Sequence, residues 1–93
     1  MDEFINLIPF GRNNAISRAE LCRLTGMNDR AVRETISQLR REHCILNNQD
    51  GRGYYRPFVD EEEYVKDYIR QETHRAKSIF WSLKGAKLWM EVE

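Results

Sequence analysis

Two helix-start signals that lie eleven residues apart, with one glycine between them, constrain the fold of this chain most strongly. Ser17 and Glu20 form a capping-box pattern, in which two side chains accept hydrogen bonds from free backbone N–H groups of a first helical turn. This pattern predicts a helix over residues 17–25, which Gly26 ends because glycine readily adopts the left-handed conformation. Asn28 is a favoured residue for capping the next helix, so we expect two helices joined by a tight turn.

The second of these helices is expected over residues 29–42, with Val32, Ile36 and Leu39 as an apolar stripe at helical spacing. Its other face carries polar residues, namely Arg30, Arg33, Glu34 and Ser37, with Arg40 and Arg41 near the end. Two helices joined by a glycine-containing turn form a helix-turn-helix unit, although an ordinary helical hairpin has the same local pattern.

The residues that follow favour the first of these interpretations, because they predict a β-hairpin. Residues 44–47 form a short apolar segment, and residues 54–56 form a second one. The residues between them are rich in turn formers, and Asp50-Gly51 is typical of a two-residue hairpin turn. A short helix at the N-terminus, two helices joined by a turn, and a two-stranded hairpin have the element order of a winged helix.

The residues that occupy this order resemble a known family. They are Ala15, Ile16, Ser17, Glu20, Leu21, Cys22, Thr25, Gly26, Arg30, Ala31, Val32, Arg33, Ile36, Leu39, Arg40, Ile45, Gly51, Arg52, Gly53, Tyr54 and Tyr55. Together they are similar to the winged helix-turn-helix DNA-binding superfamily, above all to short members in bacterial repressors and in phage or prophage genes. Thr25 replaces the usual aliphatic residue, and His43 replaces a glycine that often ends the third helix. The resemblance implies a mainly α fold with a small β-hairpin, in which residues 1–58 form the DNA-binding domain and residues 59–93 a long C-terminal helical extension.

The charges are balanced in number but not in position. The chain has 15 basic and 15 acidic residues and a pI of about 6.7, whereas a nucleic-acid-binding domain commonly has a pI above about 9. Residues 1–57, however, contain nine arginines, no lysine and seven acidic residues. Guanidinium groups fork onto phosphates and guanine edges. The arginines therefore favour a DNA partner, although they would also suit a solvated helical surface.

The second helix of a helix-turn-helix unit enters the major groove of DNA and reads base edges with its N-terminal residues. The candidate base-reading residues are Asn28, Arg30, Arg33 and Ser37. Asn28 serves equally well as a helix cap alone. Arg52 lies between two glycines at the predicted wing tip, where an arginine suits a minor-groove or phosphate contact. Further candidates for contacts to the DNA backbone are Arg18, Arg40, Arg41 and Arg56.

Residues 59–93 are predicted to be helical, with Asp60 and Glu63 as a second capping box at the start. Apolar residues then recur at alternating spacings of four and three, at Val65, Ile69, Ala76, Ile79, Leu83, Ala86 and Met90, with Glu72 as the polar member. This stripe is longer than a small domain can cover. We therefore expect a symmetric homodimer, formed through Val65, Ile69, Ala76, Ile79 and Leu83. The rival arrangement is a break near residues 73–74 that lets the last helix fold back, and Gly85 is expected to kink or end the helix.

Several classes of function lack their sequence patterns. The chain has no Ser/His/Asp arrangement, phosphate-binding loop or metal motif, so we expect no catalysis, no cofactor and no metal. Cys22 and Cys44 are interpreted as small core residues in a reducing, cytoplasmic compartment. No apolar run approaches the roughly 20 residues of a membrane span, so no membrane partner is expected.

The sequence therefore predicts a cytoplasmic protein that binds double-stranded DNA sequence-specifically, through a recognition helix in the major groove and a wing contact. It would act as a small transcriptional regulator or as a phage-type replication or packaging accessory. The second hypothesis is a protein-interaction module that uses the same scaffold and contacts a protein partner through its aromatic C-terminal helix, because a fold does not imply one function.

Overall fold

A computed structural model describes residues 2–48 and 51–92 of the chain, which is mainly helical. Gln49 and Asp50, in the predicted hairpin turn, lie outside the described residues, as do Met1 and Glu93 at the ends of the predicted domains. The helices are α1 (Asp2–Ile5), α2 (Arg18–Thr25), α3 (Asp29–Leu39), α4 (Glu62–Ser82) and α5 (Lys84–Val92), with 3-10 turns at Arg12–Asn14 and Val59–Glu61.

The predicted signals around the turn between α2 and α3 are confirmed. The Ser17 hydroxyl accepts a hydrogen bond from the Glu20 N–H at 3.1 Å. Gly26 ends α2 with a φ of 74°, and the Asn28 side chain accepts from the N–H three residues further on at 2.8 Å. The other half of the capping box is not formed, because the Glu20 carboxylate binds Arg23 instead.

Helix α3 ends at Leu39, three residues before its predicted end. The N–H groups of Glu42 and His43 both bond to the Leu39 carbonyl, at 3.1 and 2.9 Å, and close the helix. The Arg40 guanidinium then donates to the Ile45 carbonyl at 3.0 Å. This bond holds the chain where it turns away from α3.

One hydrophobic cluster joins α1 and the turn after it to α2, α3 and the later segments. Its members are Phe4, Ile5, Ile8, Leu21, Val32, Ile36, Leu39, Ile45 and Tyr54. The predicted stripe of α3 is confirmed, since Val32, Ile36 and Leu39 are all buried. Because one side of α3 is committed to this core, its other side faces solvent.

The predicted β-hairpin wing is wrong, because the described residues form no strand and no sheet. Residues 54–56 instead make single backbone bridges to three separate segments. The pairs are Tyr54 with Ile16, Tyr55 with Leu46, and Arg56 with Phe10. These residues therefore tie the N-terminal loops together instead of projecting as a wing.

The residues on either side of Tyr55 explain why no ladder forms. Tyr55 and Leu46 exchange two backbone hydrogen bonds, at 2.8 and 3.2 Å. In an antiparallel ladder, the next such pairs would use Pro57 on one side and Gly53 on the other. Pro57 has no N–H to donate, and Gly53 has a φ of 107°, far from the extended range of a strand. The bridge at Leu46 therefore cannot grow in either direction.

The first turns of α4 pack on the body, which we define as residues 2–48 and 51–58. The Gln71 amide donates to the Asn47 carbonyl at 3.2 Å, and the Asn48 amide donates to the Tyr64 carbonyl at 3.1 Å. The Arg12 guanidinium lies 4.6 Å from the centroid of the Tyr64 ring. The start of the C-terminal segment is thus part of the folded unit.

The junction between the body and α4 depends on Glu61. Its carboxylate accepts hydrogen bonds from the N–H of Phe58 at 2.9 Å and from the N–H of Arg12 at 3.0 Å. The predicted capping box of Asp60 with Glu63 is wrong, because residues 59–61 form a 3-10 turn and α4 begins at residue 62. The carboxylate that closes this turn is that of Glu61, one residue after Asp60.

The rest of the C-terminal segment, residues 73–92, is defined here as the tail. The described side chains of residues 73–91 are all exposed. Helix α4 runs without interruption through residues 73–74, so the break that the rival arrangement requires is not formed. The interruption falls at Leu83, two residues before Gly85, and the Leu83 carbonyl still accepts from Lys87 at 3.0 Å. None of the helices in the described part of the chain combines the length and apolarity of a membrane crossing.

Candidate nucleic-acid interface

The solvent-facing side of α3 carries the predicted base-reading arginines. The Arg30 side chain is 84% exposed, and its Nε lies 3.1 Å from the Glu34 carboxylate. The Arg33 side chain is 58% exposed, and its Nε lies 3.3 Å from the Asp29 carboxylate. Ser37, one turn beyond Arg33, is also exposed. Exposed ion pairs within a helix contribute only about 0.3–0.5 kcal/mol, so either arginine can exchange its carboxylate for another anion at little cost.

Asn28 stands at the N-terminus of α3 and is exposed. Its side-chain oxygen is committed to the cap of this helix, 2.8 Å from the Ala31 nitrogen. Of the two roles that the sequence left open for Asn28, the capping role is formed. A base contact would use the amide NH2 group of the same side chain.

Asp29 connects the two helices through its carboxylate, which binds Arg18 of α2 as well as Arg33 of α3. Arg18 also donates to the Tyr54 hydroxyl at 3.5 Å. The hydrogen bonds to Tyr54 and then to Asp29 raise the pKa of the Arg18 guanidinium above its usual value. Arg18 is thus a fixed positive charge beside the start of α3.

Two of the arginines predicted to contact the DNA backbone also make contacts that hold the fold. The Arg40 guanidinium lies over the rings of Tyr54 and Tyr68, 5.7 and 5.1 Å from their centroids. The Arg56 guanidinium lies 4.1 Å from the centroid of the Phe10 ring. Each also donates from Nε to a backbone carbonyl, at 3.0 and 2.8 Å. Such contacts fix the guanidinium plane and leave only the terminal NH groups for a ligand.

Arg41 and Arg52, the other two such candidates, are exposed. Arg41 follows α3 in the turn that ends it. Arg52 lies in the loop before Tyr54, where one of its NH groups is 3.5 Å from the Asn13 side-chain oxygen. Without the predicted hairpin, Arg52 is a loop residue beside the turn at Arg12–Asn14, and no wing presents it.

A polar pocket of about 290 Å³ brings together side chains from the helix-turn-helix unit and α4. Four of its lining residues are arginines, namely Arg18, Arg33, Arg40 and Arg75. Three of them are candidate DNA contacts predicted from the sequence, whereas Arg75 was not predicted, because no periodicity relates α4 to α3. The one available signal was Glu72, the polar member of the apolar stripe, which lies in this pocket and binds Arg75 at 3.1 Å.

The predicted dimerisation stripe runs from the docked start of α4 into the tail. Val65 is half-buried near the start of α4, whereas Ile69 is 58% exposed. Further along, Ala76 is exposed, and Ile79 and Leu83 are 63% and 45% exposed. Most of the stripe thus faces solvent in the single chain.

A second pocket, of about 560 Å³, lies beside the outer end of this stripe. Its walls are Phe80, Trp81 and three lysines, Lys77, Lys84 and Lys87. The ammonium groups of Lys84 and Lys87 lie 5.6 and 4.9 Å from the Trp81 and Phe80 ring centroids. The tail therefore combines exposed aromatic rings with positive charge.

The described residues contain no group of three or more His, Cys, Asp or Glu side chains that could hold a metal ion. Cys22 and Cys44 are free thiols. No family model, no curated protein and no solved structure matches this chain.

Proposed function

We propose that this protein binds double-stranded DNA sequence-specifically by inserting α3 into the major groove. One observation carries the proposal: Arg30, Arg33 and Ser37 are exposed on a helix whose opposite side is buried in the core. The major groove accepts one helix, and its base edges present a distinct pattern of donors and acceptors for each base pair. Arg30 and Arg33 are three residues apart and can reach neighbouring guanines.

The surroundings of α3 suit this role because they fix the helix and leave its arginines exchangeable. Within the body, α3 is oriented by the Asn28 cap, the Gly26 turn and the buried apolar stripe. The partners of Arg30 and Arg33 are exposed carboxylates on the same helix, which guanine can replace. Each bidentate arginine–guanine contact discriminates against a wrong base by about 1–3 kcal/mol. Arg41 and Arg52 remain the exposed candidates for backbone phosphates, without a wing.

We further propose that the protein acts as an antiparallel homodimer through α4 and the tail. The start of α4 carries one more acidic than basic residue, since Glu62, Glu63 and Asp67 pair with Lys66 and Arg70, whereas the pocket of the tail carries three lysines. An antiparallel arrangement would bring the basic end of each copy to the acidic start of the other, while the exposed stripe pairs between them. The 21 residues of α4, at about 1.5 Å each, span about 31 Å, a length comparable to the 34 Å between successive turns of DNA.

The cellular role that fits this proposal is a small transcriptional regulator or a phage-type replication or packaging accessory, acting in the cytoplasm. The exposed Phe80, Trp81 and Trp89, each about two-thirds exposed, also favour a second candidate function. In that alternative, the tail binds a protein partner and the helix-turn-helix unit serves only as a scaffold.

The test of DNA binding is selection of bound duplexes from a random library, followed by affinity measurement over a range of salt concentrations. We expect a selected consensus and a log–log salt slope that reflects several phosphate contacts. The variant Arg30→Ala/Arg33→Ala should lose the consensus while it stays folded. The matched control is Arg23→Ala, which also removes an exposed, ion-paired arginine but from α2. Absence of a consensus, or equal losses in both variants, would contradict the proposal.

The test of the homodimer is analytical ultracentrifugation of Ile79→Asp beside Ser78→Asp. Both variants add one negative charge at exposed neighbouring positions of α4, but only Ile79 belongs to the apolar stripe. We expect Ile79→Asp to be monomeric and Ser78→Asp to dimerise. A wild-type protein that is monomeric but still selects a DNA consensus would contradict the homodimer proposal and leave the DNA proposal intact.

A further inference from the structure

The polar pocket between the helix-turn-helix unit and α4 holds more positive charge than its acidic groups neutralise. Four arginines line it, and Glu72 is the lining carboxylate. Asp29 adds a second carboxylate, bound to both Arg18 and Arg33. Four guanidinium groups and two carboxylates leave an excess of two positive charges, which favours an anionic occupant.

Several donors in this pocket have no partner within the described part of the chain. Arg33 and Arg40 each use only Nε, toward the Asp29 carboxylate and the Ile45 carbonyl. Their terminal NH groups make no further hydrogen bond to a described residue. The Tyr68 hydroxyl likewise bonds to none of them, and burial raises its pKa despite the opposing charge of Arg40, so it stays protonated.

One of these donors, the Arg40 guanidinium, has a fixed position before any ligand arrives. Arg40 is fixed by the Tyr54 and Tyr68 rings and by its bond to the Ile45 carbonyl. Arg75 lies one turn after Glu72 on α4 and donates a hydrogen bond to its carboxylate at 3.1 Å. Donors that are already ordered bind a ligand with a smaller loss of conformational entropy than donors that must first be ordered.

We propose that this pocket is a binding site for a phosphate group. Arginine side chains bind phosphate through pairs of parallel N–H···O bonds, which suits a site where several guanidinium groups converge. The site does not rest on sequence-specific DNA binding, since its donors surround a pocket beside α3 and include α4. The phosphate group belongs either to a duplex bound along α3 or to a free phosphorylated compound, and the two sources share this chemistry.

The experiment is NMR observation of the arginine Nε–H signals in the full chain during titration with inorganic phosphate. Chloride at equal ionic strength serves as the reference titration. We expect saturable shifts at Arg18, Arg33, Arg40 and Arg75 with phosphate but not with chloride. Arg75→Gln should weaken phosphate binding about tenfold, the effect of about 1.4 kcal/mol. Arg70→Gln should not weaken it, because Arg70 forms a similar (i,i+3) pair with Asp67 outside this pocket.

A second titration with a short duplex of the selected sequence identifies the source. If phosphate and duplex compete for Arg18, Arg40 and Arg75, the pocket binds the DNA backbone; Arg33 is left out of this comparison because it is also a proposed base-reading residue. If they bind together, the pocket serves a free phosphorylated compound. A chain that binds phosphate at these arginines but no duplex would refute the DNA proposal and support the pocket. Absence of arginine signal shifts with both titrants, or equal weakening of phosphate binding in Arg70→Gln and Arg75→Gln, would contradict the proposed phosphate site.

Discussion

The body and the tail differ in what surrounds similar side chains. Tyr54 and Tyr55 of the body are 6% and 1% exposed, whereas Phe80, Trp81 and Trp89 of the tail are 64–66% exposed. Both regions are rich in aromatic residues and both contain helix. The difference is that residues of the body have a second layer to pack against, and those of the tail do not.

This comparison shows where the stability of the single chain resides. Helices gain most of their stability from packing of an apolar face, and an isolated helix of fewer than about 12–15 residues is marginal in water. In the body, α2 and α3 are short but share a core. In the tail, the helix extends from a docked start and exposes its apolar residues, so its stability should depend on a partner.

The largest expected effect on stability comes from making the same isoleucine-to-alanine substitution in the body and in the tail. Ile36 is 1% exposed and Ile79 is 63% exposed. Ile36→Ala should lower the free energy of unfolding by about 2–5 kcal/mol, because it removes transfer energy and leaves a cavity. Ile79→Ala should change it by less than about 0.5 kcal/mol at dilute, monomeric concentration. Urea unfolding followed by circular dichroism measures both, and equal losses would contradict the comparison.

A somewhat smaller effect is expected at the loop that joins three segments of the body. A Cβ at Gly53 would lie 2.2 Å from the Ile16 carbonyl oxygen, and the φ of Gly53 is 107°. Gly51 has a φ of 81° but open space around it. Gly53→Ala should therefore cost about 3 kcal/mol and Gly51→Ala about 1 kcal/mol, since the second carries only backbone strain. Thermal unfolding of the two variants gives the difference, and a more destabilised Gly51→Ala would refute the close approach at Ile16.

The next effect concerns the joint between the body and α4. Glu61→Ala removes the acceptor for the N–H groups of Phe58 and Arg12, and should cost about 1.5–3 kcal/mol, the range of hydrogen bonds to a charged group. Glu62→Ala removes a neighbouring exposed carboxylate, whose ion pair with Lys66 at 3.6 Å contributes little. Equal stability of the two variants in urea would show that α4 does not depend on Glu61 for its attachment.

The sequence predicted the parts of the fold that depend on nearby residues. The Ser17 and Asn28 caps, the Gly26 turn and the buried face of α3 all follow from spacing within one or two helical turns. The wing was not predictable from strand propensity, because a ladder needs backbone donors and extended φ on both sides of Tyr55. Pro57 and Gly53 remove these conditions, and both were visible in the sequence.

In the candidate site too, the sequence predicted what depends on local spacing but not what depends on packing between elements. The exposure of Arg30 and Arg33 follows from the period of α3, because both lie opposite its apolar stripe. The structural roles of Arg40 and Arg75 depend on how α4 lies across the body, which no local pattern specifies. Residues that meet across a packed interface therefore had to be read from the three-dimensional structure.

The smallest expected effect uses Cys44 to report whether the start of α4 stays docked. Cys44 is an exposed residue, but partial burial of its thiol raises the pKa of that thiol, and the positive charge of Arg40 opposes the shift. The thiol also interacts electrostatically with Tyr68 of α4. Because the thiolate is the reactive form, a raised pKa lowers the rate of alkylation at a given pH. We expect iodoacetamide to label Cys44 at pH 8 more slowly than it labels an unfolded reference peptide.

Loosening the docked helix should remove this protection while changes in the tail should not. Tyr68→Ala removes the ring over Arg40 and should raise the labelling rate of Cys44 toward that of the peptide. Trp89→Ala alters an exposed tail residue and should leave the rate unchanged. Peptide mapping by mass spectrometry separates labelling of Cys44 from labelling of Cys22. A wild-type rate equal to that of the peptide, or equal rates in both variants, would move the boundary between docked and free helix closer to residue 62.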